Sequence, residues 1–125
     1  MTKDINHIKK KWGYERILEN NNKYCGKILT VNQGYLSSLH YHKKKDETFI
    51  IESGKIQLEV GKAKKTKKGW IVHTKTYMME PGDKIRLKPN TVHRYKSLTK
   101  KSLILEISTQ HKDNDSYRIE KSRRE

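Results

Sequence analysis

Residues 34–54 read GYLSSLHYHKKKDETFIIESG. His40 and His42 are two apart, so on an extended strand both side chains project to the same face. The same parity sets Leu36 and Ser38 beside them, a half-apolar wall suited to the inside of a barrel. After the lysine run at 43–45, Glu47 begins a second strand, with Phe49 and Ile51 on its own face. A hairpin at this spacing returns Glu47 to the two histidines. Gly34 and Gly54 frame the stretch where a turn can need positive φ.

A second stretch, residues 88–93 (KPNTVH), places His93 at the start of a later strand, just after a Pro-Asn turn. Three imidazoles and one carboxylate, from His40, His42, His93 and Glu47, make a ligand set for one divalent metal ion. Zn is the first expectation, and Mn, Fe, Co or Ni would also fit, with positions left for water or substrate. A lone HxH pair is more often structural. The added glutamate, the framing glycines and the distant histidine make the metal reading the better one. His7, His73 and His111 are read as non-ligands.

From residue 24 to 108, short runs of β-branched and aromatic residues alternate with Gly, Asn and Lys clusters. Strands are expected over 26–32, 36–41, 48–53, 55–60, 70–79, 84–87, 93–97 and 102–108. This pattern predicts an all-β, single-domain antiparallel barrel or sandwich. Residues 24–109 would form the barrel, 1–23 an N-terminal arm wrapping it and 110–125 a charged tail. The stretch 61–69 (GKAKKTKKG) reads as a mobile basic loop.

The chain has 125 residues, enough for one core. Lys and Arg number 29 against 14 Asp and Glu, a net charge of +15, which favours anionic ligands. Charge alone is read first as a solvated surface, and nucleic acid is a minor option because no interleaved aromatic signature accompanies it. A single cysteine, Cys25, excludes an internal disulfide and suits a reducing compartment. Neither a secretory leader nor a membrane-length apolar run is visible, so a cytoplasmic location is expected.

Residues Gly34, His40, His42, Glu47 and Gly54 match the first motif of the cupin superfamily, G-x5-H-x-H-x3–4-E-x6-G. In the second cupin motif Gly82 and His93 match, while Lys88, Asn90 and Ser97 replace the usual proline, glycine and asparagine. The chain is thereby identified as a cupin, a jelly-roll-type β-barrel. It further resembles the cupin domain of type II mannose-6-phosphate isomerases in stand-alone form. That resemblance rests on Lys11-Trp12-Gly13-Tyr14-Glu15, on Ser38-Leu39-His40-Tyr41-His42 with Lys45 and Glu47, on His93-Arg94, and on Glu106-Ile107-Ser108-Thr109 with Asp115 and Arg118.

The resemblance implies a metal-dependent aldose-ketose isomerase converting mannose 6-phosphate to fructose 6-phosphate, and a homodimer. A non-catalytic cupin binding a sugar or nucleotide-sugar is the alternative, and a metal-dependent dioxygenase a third. Lys27, Lys45 and Arg94 are the candidate phosphosugar contacts, although strand parity turns Arg94 away from the face of His93. Lys45, Tyr95 and Arg94 are the candidate catalytic groups. The catalytic base stays open among Glu52, Tyr41, Tyr95 and Lys45. Trp12 and Trp70 are expected to pack.

Overall fold

The computed structural model describes residues 6–125. Apart from one 3-10 turn at Asp113–Asp115, the described secondary structure is strand. The strands are β1 (Asn6–Lys10), β2 (Gly13–Asn20), β3 (Cys25–Asn32), β4 (Tyr35–Leu36), β5 (Leu39–Tyr41), β6 (Glu47–Ser53), β7 (Ile56–Thr66), β8 (Gly69–Met79), β9 (Lys84–Leu87), β10 (Val92–Ser97), β11 (Lys101–Ser108), β12 (Tyr117–Glu120) and β13 (Arg123–Arg124).

Two antiparallel sheets face each other, in the orders β1-β2-β3-β11-β6-β9 and β12-β5-β10-β7-β8, with a small β13-β4 pair at the side. The all-β cupin expectation holds. Within it, the segment 1–23 contributes β1 and β2 to the larger sheet, and 110–125 contributes β12 and β13. Apart from the 3-10 turn at Asp113–Asp115, none of the described part of either segment is helical.

The inward row of each strand changes character along its length. On β3 the buried residues of the inward row run Cys25, Lys27, Leu29, Val31; on β6 they run Glu47, Phe49, Ile51; on β11 they run Ser102, Ile104, Glu106, Ser108. Leu29, Val31, Phe49, Ile51, Ile56, Leu58 and Ile104 therefore pack as one apolar plug. Lys27, Glu47 and Glu106 leave that plug for a polar chamber beside it. The register confirms their proximity, for Glu106 faces Lys27 on one side and Phe49 on the other, and Ser108 faces Glu47.

Two expectations are corrected. Residues 36–41 are not one strand. The backbone breaks at Ser37 and Ser38 because Ser37 is drawn to β10: its N–H donates to the Tyr95 carbonyl at 3.0 Å, and the Tyr95 N–H donates to its hydroxyl at 2.9 Å. The basic stretch 61–69 is not a loop, since β7 and β8 pair without interruption from Ile56↔Met79 to Thr66↔Gly69. Lysines at 62, 64 and 65 are tolerated there because their strand partners His73, Ile71 and Trp70 supply pairing along a solvent-facing ribbon. Trp70, expected to pack, is 36% exposed on that ribbon.

The turn glycines Gly34, Gly54 and Gly82 all adopt positive φ, as expected. Gly54, at φ 80, is the tightest of these, for a Cβ there would stand 2.2 Å from Ser102 Oγ. Asn90 also has positive φ, 70, at the place where the cupin motif carries glycine. Asparagine tolerates this conformation, and the Asn90 N–H donates to the His42 carbonyl at 2.6 Å. The degraded second motif thus still turns, and it ties itself to the first.

Candidate metal centre and sugar cavity

Strand β5 delivers His40, the residue just past its end is His42, and β10 delivers His93 directly opposite His40. Their ligand nitrogens all lie within 4.8 Å of one another. Glu47, at the start of β6, sets one carboxylate oxygen 3.2 Å from His42 Nε2 and the other 3.7 Å from His93 Nε2. Nitrogen and oxygen ligands about 2.0–2.1 Å from a tetrahedral metal stand on the order of 3–3.5 Å apart. The structure thus gathers the three imidazoles into one cluster and sets Glu47 beside two of them, His42 and His93.

The hydrogen bonds around the cluster decide which nitrogens are free. A carbonyl oxygen can only accept, so each ring nitrogen beside one must carry the proton. His40 Nδ1 donates to the Ser38 carbonyl at 2.9 Å, His42 Nδ1 to the Asp115 carbonyl at 2.9 Å, and His93 Nδ1 to the Thr91 carbonyl at 3.0 Å. All three Nε2 atoms therefore hold lone pairs, the arrangement that outer partners impose on metal-binding imidazoles. His93 Nε2 and Glu47 Oε2 are buried with no hydrogen-bond partner among the described residues.

Charge tells the same story. Burial, and then the neighbouring rings, lower His40 to a pKa of about 3 and His42 to about 4. Burial lowers His93 to about 4 as well. Burial, and next the Glu106 carboxylate, push Glu47 up to about 8. The three rings are therefore neutral, with their Nε2 lone pairs available, which is the state that coordination of a divalent cation requires.

Beside the cluster lies a cavity of about 500 Å³, whose wall includes His40, His42, Glu47, Lys27, Lys45 and Glu106. Lys45 is 3% exposed, and its Nζ lies 2.6 Å from Glu106 Oε2 as an ion contact. Burial works against the Lys45 charge, but Glu106 and Glu47 outweigh it and hold the ammonium above its ordinary range. Burial would likewise raise Glu106, yet Lys45 and Lys27 draw it down to about 2. Lys45 Nζ also donates to His111 Nδ1 at 3.1 Å, leaving His111 Nε2–H to donate to Asp113 at 3.0 Å.

Of the other expected site residues, Lys27 is 1% exposed and pairs with Glu15 at 3.3 Å on the cavity wall. Tyr95 lines the cavity edge-on to Trp12, and its burial raises the hydroxyl's pKa well above 10.0, which keeps the hydroxyl protonated. Arg94 is not brought to the cavity. It lies on the outer face, bonded to Glu59 and, at 2.6 Å, to Glu120. Glu52 and Tyr41 also lie outside the wall described above.

Sequence reasoning gave no role to Glu106, Glu15 or His111. Glu106 had a signal: it shares strand parity with Ile104, so it was an acid in an inward row. Glu15 had one as the last residue of the Lys11–Glu15 motif, whereas His111 had none, because the segment holding it reads as a tail.

The sequence profile of D-lyxose isomerases matches residues 10–124. The chain belongs to the D-lyxose isomerase family. This family is one of sugar isomerases, as the motifs suggested, though its named sugar is D-lyxose and not mannose 6-phosphate. Comparison with curated protein sequences returned no match.

Among solved structures, the chain is similar to the capsular polysaccharide assembling protein CapF of Staphylococcus aureus. The TM-score is 0.78 at 13% identity, over 95% of this chain and 32% of that one. KdgF from a Halomonas species aligns with a TM-score of 0.66 at 16% identity, over 81% of each chain. An oxalate decarboxylase of Bacillus subtilis aligns with a TM-score of 0.75 at 17% identity, over 93% of this chain and 30% of that one. The chain thus spans about a third of the CapF and oxalate decarboxylase chains. These likenesses establish that this member of the D-lyxose isomerase family has the cupin fold. Among its described residues no helix is long and apolar enough to cross a membrane.

Proposed function

We propose that the protein is a metal-dependent aldose-ketose isomerase acting on aldoses of the mannose configuration, mannose 6-phosphate among them. D-lyxose has the same configuration as D-mannose at C2, C3 and C4, so the family's named sugar and the sequence resemblance point to one stereochemical class. The observation that carries the reading is the buried Lys45–Glu106 pair on the wall of the cavity that the histidine cluster also lines.

The reaction moves a proton from C2 to C1 and another from O2 to O1 through an enediol. The three Nε2 atoms and Glu47 would hold a divalent cation, which would supply Lewis-acid polarisation at the reacting oxygens. Glu106 is the base for the carbon-bound proton. Its basicity is low while Lys45 faces it, and rises as the Lys45 ammonium gives its hydrogen bond to the developing oxyanion. The two groups thus act in concert, and His111 holds the Lys45 amine in place from the other side. Tyr95 keeps its proton and orients a sugar hydroxyl.

The test is to incubate the metal-loaded protein with D-lyxose, D-mannose or mannose 6-phosphate in D2O and follow the products by NMR. Ketose formation with solvent deuterium at C1 is expected. Glu106→Gln should lower kcat by roughly 10²- to 10⁴-fold with its metal content intact. Absence of both turnover and exchange with every sugar and with Zn, Mn, Fe, Co and Ni would overturn the reading.

A further inference from the structure

The cations of the cavity fall into two groups. Lys27 and Lys45 are buried, and each is already answered by a carboxylate, Glu15 at 3.3 Å and Glu106 at 2.6 Å. Lys10 and Arg118 line the same cavity, half-buried and exposed respectively, and neither has an ion-pair partner among the described residues. The hydroxyl-bearing Ser122 lines the wall with them.

The orientation of Arg118 is set by register. It faces His40 across the β12–β5 pair, and residues directly opposite in an antiparallel pair project to the same side. Between Arg118 and Glu120 the register slips, so that Glu120 faces Leu39. A bulge of this kind re-aims side chains at the rim of a barrel. Without it, Arg118 and Glu120 would share a face, as residues two apart do, and the arginine would have a carboxylate beside it. With it, Glu120 is turned to the outer face, where it takes Arg94 at 2.6 Å. The fold therefore removes the nearest acid from Arg118 and leaves its guanidinium over the mouth of the cavity, on the side of a candidate metal ligand.

We propose that Lys10 and Arg118 form an anion subsite that receives the phosphate of a phosphorylated aldose whose carbonyl end lies at the histidine cluster. The sugar half of this statement rests on the isomerase reading above. A phosphomonoester carries about −1.5 to −2 charges at neutral pH. Two cations without carboxylate partners match it, whereas Lys27 and Lys45 would first have to leave theirs. Arginine offers the planar fork that phosphate oxygens accept in pairs, and lysine a point charge beside it. Specificity follows from position, because the phosphate can be held at the mouth only if the sugar chain runs inward to the metal-binding side.

The experiment compares mannose 6-phosphate with mannose, using wild type, Lys10→Ala, Arg118→Ala and Arg118→Lys. The ratio of kcat/KM for the phosphorylated over the free sugar should fall roughly 10- to 100-fold in Arg118→Ala, mainly through KM. Arg118→Lys should restore part of it. An unchanged ratio overturns the proposal.

If no variant, nor the wild type, turns over any sugar, the isomerase reading fails and the subsite is judged by binding alone. Calorimetry with inorganic phosphate and with mannose 6-phosphate should then show at least tenfold weaker binding to Lys10→Ala and Arg118→Ala. Equal binding by all proteins, or none by wild type, overturns the subsite. Because Arg118 is exposed, its variants are expected to fold, and circular dichroism checks that they do.

Discussion

Asp115 and His42, 73 positions apart, are joined through both the main chain and the side chain of the aspartate. The Asp115 carbonyl takes the His42 Nδ1–H, and its carboxylate accepts the consecutive N–H groups of Lys43, Lys44 and Lys45 at 2.9–3.2 Å. One residue of the C-terminal segment thus fixes the tautomer of a candidate ligand and the turn that leads on to Lys45 and Glu47. Asp115→Ala should weaken metal binding by roughly 10–100-fold, read by competition with a chromophoric chelator. It should also cost about 1–3 kcal/mol of stability, since three backbone donors, that of Lys45 buried, lose their acceptor. The variant keeps the carbonyl and removes only the carboxylate, so unchanged affinity would show that the carbonyl reaches His42 without the turn the carboxylate holds.

The metal site itself is tested by His42→Ala and His93→Ala. Each removes one of three converging Nε2 lone pairs, so metal retained through gel filtration should be lost, as measured by elemental analysis. His7→Ala serves as the control, since His7 stands away from the cluster against Tyr14. Retention at the wild-type level in both cluster variants would refute the site.

Lys45 and Glu106 are both nearly inaccessible, so removing one leaves the other as an uncompensated charge. Lys45→Met should destabilise by about 3–5 kcal/mol. The double variant Lys45→Met/Glu106→Leu should recover much of that loss in urea denaturation, although neither protein should isomerise sugar. Additive losses would mean that the pair is not coupled.

Cys25 provides the pH test. Burial, followed by the Glu106 carboxylate, raises its thiol above the ordinary 9.0. The unfolded chain therefore loses this proton first as pH rises. The stability linked to Cys25 is complete below the unfolded value and declines as pH climbs from there through the folded value. Cys25→Ser should flatten that alkaline decline, and the native thiol should resist alkylation at pH 8 until denaturant is added. Rapid alkylation of the folded protein would contradict its burial.

Gly54 is expected to be intolerant. Its φ of 80 and the 2.2 Å approach that a Cβ would make to Ser102 Oγ predict a loss of about 1–3 kcal/mol for Gly54→Ala. Differential scanning calorimetry reads this directly, and an unchanged melting temperature would remove the steric argument.

The legibility of the sequence was uneven, for physical reasons. His40, His42 and Glu47 could be read because strand parity and a short turn constrain neighbours in sequence. His93 could be read because a Pro-Asn turn announces the strand it opens. Glu106 needed the apolar alternation of β11 to be weighed against its single acid. The pairing of β1, β2 and β12 was illegible because these strands are amphipathic only weakly; β2, for instance, buries no residue fully. Arg118 belongs to a resembling motif but has no role legible in it, since nothing in local sequence marks the register slip beyond it. The ribbon at 61–69 was missed because lysine runs suggest solvent, whereas cross-strand partners there are set by a hairpin turn two residues long.

The bridge between His42 and Asp115 has a consequence for the order of events during synthesis. A ribosome adding about 5–20 residues per second needs roughly 4–15 s to travel the 73 positions separating them. Throughout that interval the two-histidine segment exists without the carbonyl that orients His42 and without the carboxylate that shapes its turn. The nascent chain can pair β7 with β8 and β6 with β9 but cannot yet hold the ring as the finished site does. A site that needs the Asp115 carbonyl to orient His42 is complete only after translation has passed residue 115, so any ion the imidazoles hold would come from the metal pool that the folded chain then meets.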